Sequence, residues 1–503
     1  MEATQTPELR MNETQQREKK DIRYVSRKET LAYGVANGGM VVNRNIISTY
    51  LNYFLINVFR VNSSAVASMF LLEGVWDIVN DPMMGVLVDR TRTRWGKLRP
   101  YLLAVPLPMA VVTIFLMAGP QLLSNPSENA LSKIIYMFVT YTLWETFSTL
   151  MEVPFWGMSA AISPNPKDRT RVITSARFIS TFFGGLPQFV VPLLLDASAK
   201  EGGPNIKSVF FGIGLVSGIA GMGLFSLAGI YTKERVPQAS EEPTLRECLE
   251  CMIKNPPLRM LMLRGVINTL GGIRGSFNTY FYMDVLGSAS RSIIVGIPSG
   301  ITNWFAYLCM PLIRKWHKNN NKHMLYSSQL TNAALSTVSY LLGMRNYNKP
   351  DFMTVLMMVK QGLAELFNGV NTVIPTEMTG ETVDYMEWQT GRRSEGVSFA
   401  ALSFMGKFGD VLARSLGAFL LKPIGYQTSP DHAAIPQTER TKQGIWFMFM
   451  AAPVLFDLLS MIPLRYYDLV GEKRETMLAE LAERRALVSR EAAGLEEAEA
   501  AQV

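Results

Sequence analysis

The sequence predicts an all-α membrane protein of twelve transmembrane helices in two six-helix halves, and three observations carry that expectation. Only 18% of the 503 residues are charged while 48% are hydrophobic, against roughly 25% charged in an ordinary soluble domain. Apolar runs recur from residue 30 to residue 470, and each has the ~20 residues that a helix needs to cross a hydrocarbon core of roughly 30 Å. The loops between these runs alternate between rich and poor in Lys and Arg.

Taken in order, the first half holds spans at 30–59, 64–88, 98–119, 131–162, 171–196 and 207–232. A polar stretch at 233–256 separates it from spans at 257–286, 290–313, 324–343, 351–379, 395–421 and 443–467. The domain plan is therefore a tail at 1–29, a bundle at 30–232, a linker at 233–256, a second bundle at 257–470 and a tail at 471–503. Five basic residues fall between Arg90 and Arg99, and four each between Lys233 and Lys254 and between Arg314 and Lys322. Basic loops stay on the inner side of a membrane, so these loops and both termini are expected to be cytoplasmic in a plasma (cell inner) membrane protein. The first 28 residues contain no apolar h-region, so no cleaved signal peptide is expected. The charged segment from Glu472 to Ala500 is expected to be an exposed, solvated helix.

Composition also excludes function classes. Three Cys and three His do not make a disulfide framework or a zinc centre, and Cys248-x-x-Cys251 has no second ligand pair near it. No nucleophile or metal constellation appears, so an enzyme is not expected and no cofactor is implied. The formal charge of +7 is explained by loop topology and requires no nucleic acid; the expected surroundings are membrane lipid.

Chemistry concentrates in Gly74–Pro100, GVWDIVNDPMMGVLVDRTRTRWGKLRP. Asp77 and Asp81 stand one helical turn apart with Glu73 a turn earlier, so the three acids share a face. An ionised side chain at the centre of a bilayer costs roughly 2.5–3.5 kcal/mol on insertion scales and normally faces a cavity or a partner. Carboxylates with Asn80 beside them suit a hard cation such as Na+, which prefers oxygen ligands. Structural ion pairs and a proton site are the alternatives.

Trp76-Asp77-x-x-Asn80-Asp81-Pro82-x-Met84-Gly85 followed by Arg94-Trp95-Gly96-Lys97-x-x-Pro100 resembles the glycoside–pentoside–hexuronide:cation symporters of the major facilitator superfamily. Met151-Glu152-Val153-Pro154-Phe155-Trp156, Arg177-Phe178, Val383-Asp384-Tyr385-x-Glu387 and Lys407-x-Gly409 extend the likeness over both halves. The resemblance implies a major facilitator fold and a cation site for Na+, H+ or Li+ at Asp77, Asn80, Asp81 and Thr149. It implies a solute site at Glu152, Trp156, Arg177 and Lys407. It also implies a gating role for Asp89, Arg90, Arg94 and Lys97, as charges that latch the two halves on the inner side.

Three departures bear on the solute. Asn37-Gly38-Gly39 stands where galactoside carriers have a first-span Asp, Ser148 replaces a fourth-span Tyr, and Thr372 falls near a tenth-span Trp. Further charges lie within apolar runs: Arg44, Glu145, Arg264, Arg274, Lys360, Glu365, Asp410 and Arg414. Asp410 and Arg414 are spaced to pair, Arg177 can neutralise Glu152, and Arg44, Arg274 and Lys360 can line a path for an anion. The expected function is a secondary active symporter that imports a glycoside or related small molecule with a monovalent cation by alternating access. A hexuronide, a lysolipid or another non-galactoside solute is the alternative within transport, and a transporter-like sensor without coupled flux is the alternative outside it.

Overall fold

The computed structural model describes residues 23–236, 253–318, 320–391, 395–428 and 435–485. The tail before residue 23, most of the 233–256 linker with Cys248 and Cys251, and the chain beyond residue 485 lie outside the described residues. So does the side chain of Asp89. The chain divides into two compact units, residues 1–241 with 428–435, and residues 242–427 with 436–503. Both are helical, and among the described residues the extended pairing is one isolated bridge, Thr93 to Gly96.

The first unit contains α1 (Arg27–Tyr53), α2 (Ser63–Arg90), α3 (Arg99–Ala104), α4 (Pro106–Leu122), α5 (Leu131–Ala161), α6 (Pro166–Ala199), α7 (Ile206–Val216) and α8 (Met222–Tyr231). Capping chemistry sets several starts. Ser26 and Glu29 close a reciprocal capping box on α1, and the side chains of Asn62, Asn165 and Asn205 accept from the first turns of α2, α6 and α7. Pro106 stands at the start of α4, where its missing N–H costs nothing. α1 packs against α6 and α8, and α2 against α5. The α1–α8 approach is close enough that a Cβ on Gly39 would lie 2.2 Å from the Gly221 carbonyl oxygen, so only glycine fits. Neighbouring Asn37, 1% exposed, donates to the Ala176 carbonyl of α6 at 3.1 Å. The Asn37-Gly38-Gly39 stretch is thus committed to packing.

The second unit contains α9 (Pro256–Leu270), α10 (Ile273–Tyr280), α11 (Arg291–Trp316), α12 (Asn321–Met344), α13 (Pro350–Glu365), α14 (Asn368–Thr390), α15 (Glu395–Leu421), α16 (Glu439–Trp446), α17 (Ala452–Leu459) and α18 (Met461–Arg465). A last helix, α19, runs over residues 472–485. Its Met477 and Leu481 are 0% and 2% exposed and join a core with Met324, Ile374, Met378 and Tyr467. The expectation of a solvated C-terminal helix is therefore wrong over residues 472–485. Met477 and Leu481, four apart on one face, have an apolar surface to cover, and burial outweighs the charged composition of the segment.

Leu107, Phe182, Leu308 and Leu312 point outward, each about 70% exposed, which is the surface of a protein solvated by lipid. Among the described residues three helices are long and apolar enough to cross a membrane, within 167–199, 206–231 and 439–465. A fourth qualifies if α11, bent by 64° near Tyr307, counts as one span. α2 and α5 fall short because acids and hydroxyl residues interrupt their apolar runs.

Candidate cation and solute site

α2 and α5 meet along a polar seam. The Thr142 hydroxyl donates to Glu73 Oε1. One turn on, Trp76 Nε1 donates to Thr146 Oγ1 at 3.1 Å, and a further turn on Thr149 Oγ1 donates to Asp81 Oδ1 at 3.1 Å. Thr142, Thr146 and Thr149 recur at helical spacing, so one face of α5 offers hydroxyls to one acidic face of α2. Asp77 and Asp81 are half-buried. Asn80 is 0% exposed, and neither its Oδ1 nor its Nδ2 has a hydrogen-bond partner. Leaving a buried amide unpaired costs on the order of 1–3 kcal/mol, and an unmade bond of this kind calls for an explanation. Pro82 follows at once inside the helix; it has no N–H to return to the Ile78 carbonyl. Two carboxylates, an amide oxygen and a hydroxyl can surround a small hard cation, and the orphaned Asn80 fits that use. Among the described residues no group of three or more His, Cys, Asp and Glu is gathered for a metal ion.

The expected solute residues sit further along α5 and α6. Glu152 Oε2 accepts from Arg44 Nη1 of α1 at 2.6 Å, with the two side chains 32% and 44% exposed. Arg177 of α6 lies over the Trp156 ring, 4.4 Å from its centroid. Tyr33 stacks on Phe155 at 4.2 Å and donates to the Phe155 carbonyl at 2.6 Å, which fixes α5 where Trp156 projects. One expectation needs correction. Glu152 takes Arg44 as its ionic partner, and Arg177 is engaged by an aromatic face. Arg44 of the basic trio is thus ion-paired within the first unit.

The other two members of that trio belong to a buried polar core of the second unit. Lys360, Arg264 and Asp457 are 2%, 6% and 8% exposed, and Lys360 feels Arg274, Asp457 and Glu365. Arg274 donates to the Phe449 carbonyl at 3.1 Å, and Asn332 donates to Asp457 Oδ2 at 2.7 Å. Asp457 is the acid that sequence reading missed; it stands alone in a strongly apolar run. Asp410 and Arg414 pair at 3.3 Å as their spacing indicates. Lys407 lies exposed on α15, and Ser148 and Thr372 lie on α5 and α14.

The Arg90–Arg99 loop finds its partners inside the first unit. The Glu234 carboxylate accepts the backbone N–H groups of Lys97, Leu98 and Arg99 at 2.9, 2.8 and 2.9 Å. Arg99 Nε donates to the Gly229 carbonyl at 2.6 Å, so the start of α3 is bound to the end of α8. Gly96, at φ +109°, permits the turn. Arg90 is exposed, and Arg94 lies 5.0 Å from the Trp95 ring. Glu234 was not legible as a partner because it stands among Lys233 and Arg235. In the second unit Arg485 of α19 binds Asp384 at 2.8 Å and Glu387 at 2.5 Å, the two acids of the Val383–Glu387 motif.

Long helices with apolar residues exposed on their outer surface and polar side chains between them have the build of a multi-pass membrane protein. A family model described as "MFS/sugar transport protein" matches residues 32–471, and the chain belongs to that family, in the branch of glycoside–pentoside–hexuronide:cation symporters that the motifs resemble. It is similar to the inner membrane symporter YicJ of Escherichia coli K12, 29% identical over 463 residues that span 91% of this chain and 95% of that protein. It is also similar to the glucuronide carrier protein homolog of Escherichia coli K12, 27% identical over 86% of this chain and 91% of that one. The isoprimeverose transporter of Lactiplantibacillus pentosus is 26% identical over 91% and 92%. Among solved structures, a bacterial homolog of the lysosomal transporter Spinster shares the fold with a TM-score of 0.57 at 14% identity, over 87% of this chain and 97% of that one.

Proposed function

We propose that this protein is a cation-coupled symporter of a glycoside or a related sugar-like solute, crossing the membrane twelve times with both termini cytoplasmic. The coupling cation, Na+ or H+, occupies the Asp77, Asn80, Asp81 and Thr149 oxygens, and Glu152, Trp156, Arg177 and Lys407 are the side chains proposed for the solute. The observation that carries this reading is Asn80, buried and unpaired beside two aspartates, with Thr149 already bonded to Asp81.

The mechanism follows from those contacts. A cation neutralises the Asp77/Asp81 pair and supplies Asn80 with the partner it lacks, which draws α2 against α5. Glu152 and Trp156 lie on that same α5, one and two turns beyond Thr149, so ordering α5 orders the groups that meet the solute. Arg44 and Arg177 then offer donors to solute hydroxyls or to a carboxylate. Coupling of this kind is reciprocal: solute tightens the cation by the factor by which cation tightens the solute. Alternating access carries both inward. Asp89, Arg90, Arg94 and Lys97 belong to the loop that breaks and re-forms its contacts in that cycle.

A uronide is the second reading, supported by the three basic side chains around Asp457 in the second unit. Solute-dependent Na+ uptake into proteoliposomes, with a panel of neutral glycosides, uronides and lysolipids, separates the readings. D77C and D81C are each expected to abolish cation-stimulated solute binding in protein that still folds. Unchanged Na+ stimulation in both variants refutes the site.

A further inference from the structure

The α2–α5 seam carries a buried carboxylate that the cation site does not use. Glu73, one turn before Asp77 and on the same face, is 5% exposed. Its Oε1 accepts the Thr142 hydroxyl, while its Oε2 is buried and has no hydrogen-bond partner. The charged groups acting on it are Glu145, across the seam on α5, and Asp77 on its own helix; both are acidic. Glu145 accepts from the Tyr141 hydroxyl at 2.6 Å, and Tyr141 is 2% exposed.

An ionised Glu73 in this position has one side-chain donor for two oxygens and acidic neighbours beside it. Burial without compensating bonds and repulsion from neighbouring acids both act against the charge. Thr142 is a single neutral donor and satisfies Oε1 alone. Asn80, also orphaned on α2, lies two turns away next to Asp81 in the chain and gives Glu73 no hydrogen bond. A proton on Oε2 removes the charge that burial and the neighbouring acids oppose.

We propose that Glu73 is a proton-binding site, separate from Asp77 and Asp81, in which it holds one proton on Oε2 as a neutral acid and presents Oε1 as a carbonyl to Thr142. No covalent step is involved: the proton enters from and returns to solvent. Its occupancy sets how many negative charges the seam presents one turn from Asp77. The inference goes beyond the proposed symport and does not need Na+ to be the coupled ion.

The test is infrared difference spectroscopy of the full-length protein in lipid vesicles, taken between acidic and alkaline buffer without Na+. A wild-type band from the carbonyl stretch of a buried carboxylic acid is expected, with loss of that band in E73Q. T142V is expected to keep the band and move it to higher frequency, because Oε1 has lost its hydrogen bond. T142V retains Glu73 and therefore carries the test even if E73Q folds poorly. A wild-type spectrum without the band, a band that survives E73Q, a band unmoved by T142V, or a band that D77N removes while E73Q leaves it, each overturns the site. None of these results depends on whether D77C and D81C retain Na+ stimulation.

Discussion

Glu152 shows how one side chain divides its duties. It is held by Arg44 at 2.6 Å, yet it keeps about a third of its surface exposed, so it is anchored and still available. E152Q removes the charge and leaves Arg44 without its counter-ion. A hydrogen bond to a charged group contributes about 1.5–3 kcal/mol, so solute affinity is expected to fall about tenfold or more, with a smaller change in Na+ affinity. Equilibrium binding of a transported glycoside and of Na+, measured on the same sample, checks this; a larger loss for Na+ assigns Glu152 to the ion. The acids of α2 were legible because a spacing of four places residues on one helical face whatever surrounds them. Thr149 was legible only through the motif, since a lone threonine more often bonds its own helix. Arg44 was not legible as a partner: it lies 108 residues from Glu152, and no local pattern reports which neighbour a side chain will meet. Asn80 was legible from its place beside the acids, but that its amide is buried without a partner was not.

At the scale of elements, α19 is the instructive case. Its sequence reads as charged, and the two apolar positions that matter, Met477 and Leu481, are few beside its Glu and Arg residues. The helix docks because those two residues fill a core already lined by α12 and α14, while Arg474 reaches Glu381 at 2.8 Å and Glu480 accepts from Trp388 Nε1 at 2.7 Å. The two kinds of contact differ in worth. M477A empties a fully buried site and is expected to cost about 2–4 kcal/mol, read as a lowered melting temperature of the purified protein. R485A removes an ion pair whose Arg side chain is 45% exposed, where screening leaves little net gain, and is expected to change melting far less. The reverse order would make α19 an electrostatic strap. The bond from Glu234 to three amides follows the same logic as a helix cap: orphan N–H groups at the start of α3 attract an anion, and the chain supplies one from the far end of the unit.

For the whole molecule, loop charge remains the basis of the topology. Single cysteines at Arg92 and Lys318, in a chain whose native cysteines have been replaced, are expected to react with a membrane-impermeant thiol reagent from the cytoplasmic side only, and cysteines at Asn125 and Arg345 from the outside only. Opposite labelling would invert the orientation. The fold class was legible because lipid imposes long apolar helices, whereas span ends and breaks were not, since proline, glycine and π-turns bend helices without changing composition. The turn Ser217–Gly221 between α7 and α8 is one such break, and it delivers Gly221 to the Gly39 backbone. Two main chains touching with no side chain between them have no cushion to compress and nothing to slide over. That crossing leaves no slack: a side chain at Gly39 would have to push α1 away from the turn that leads into α8.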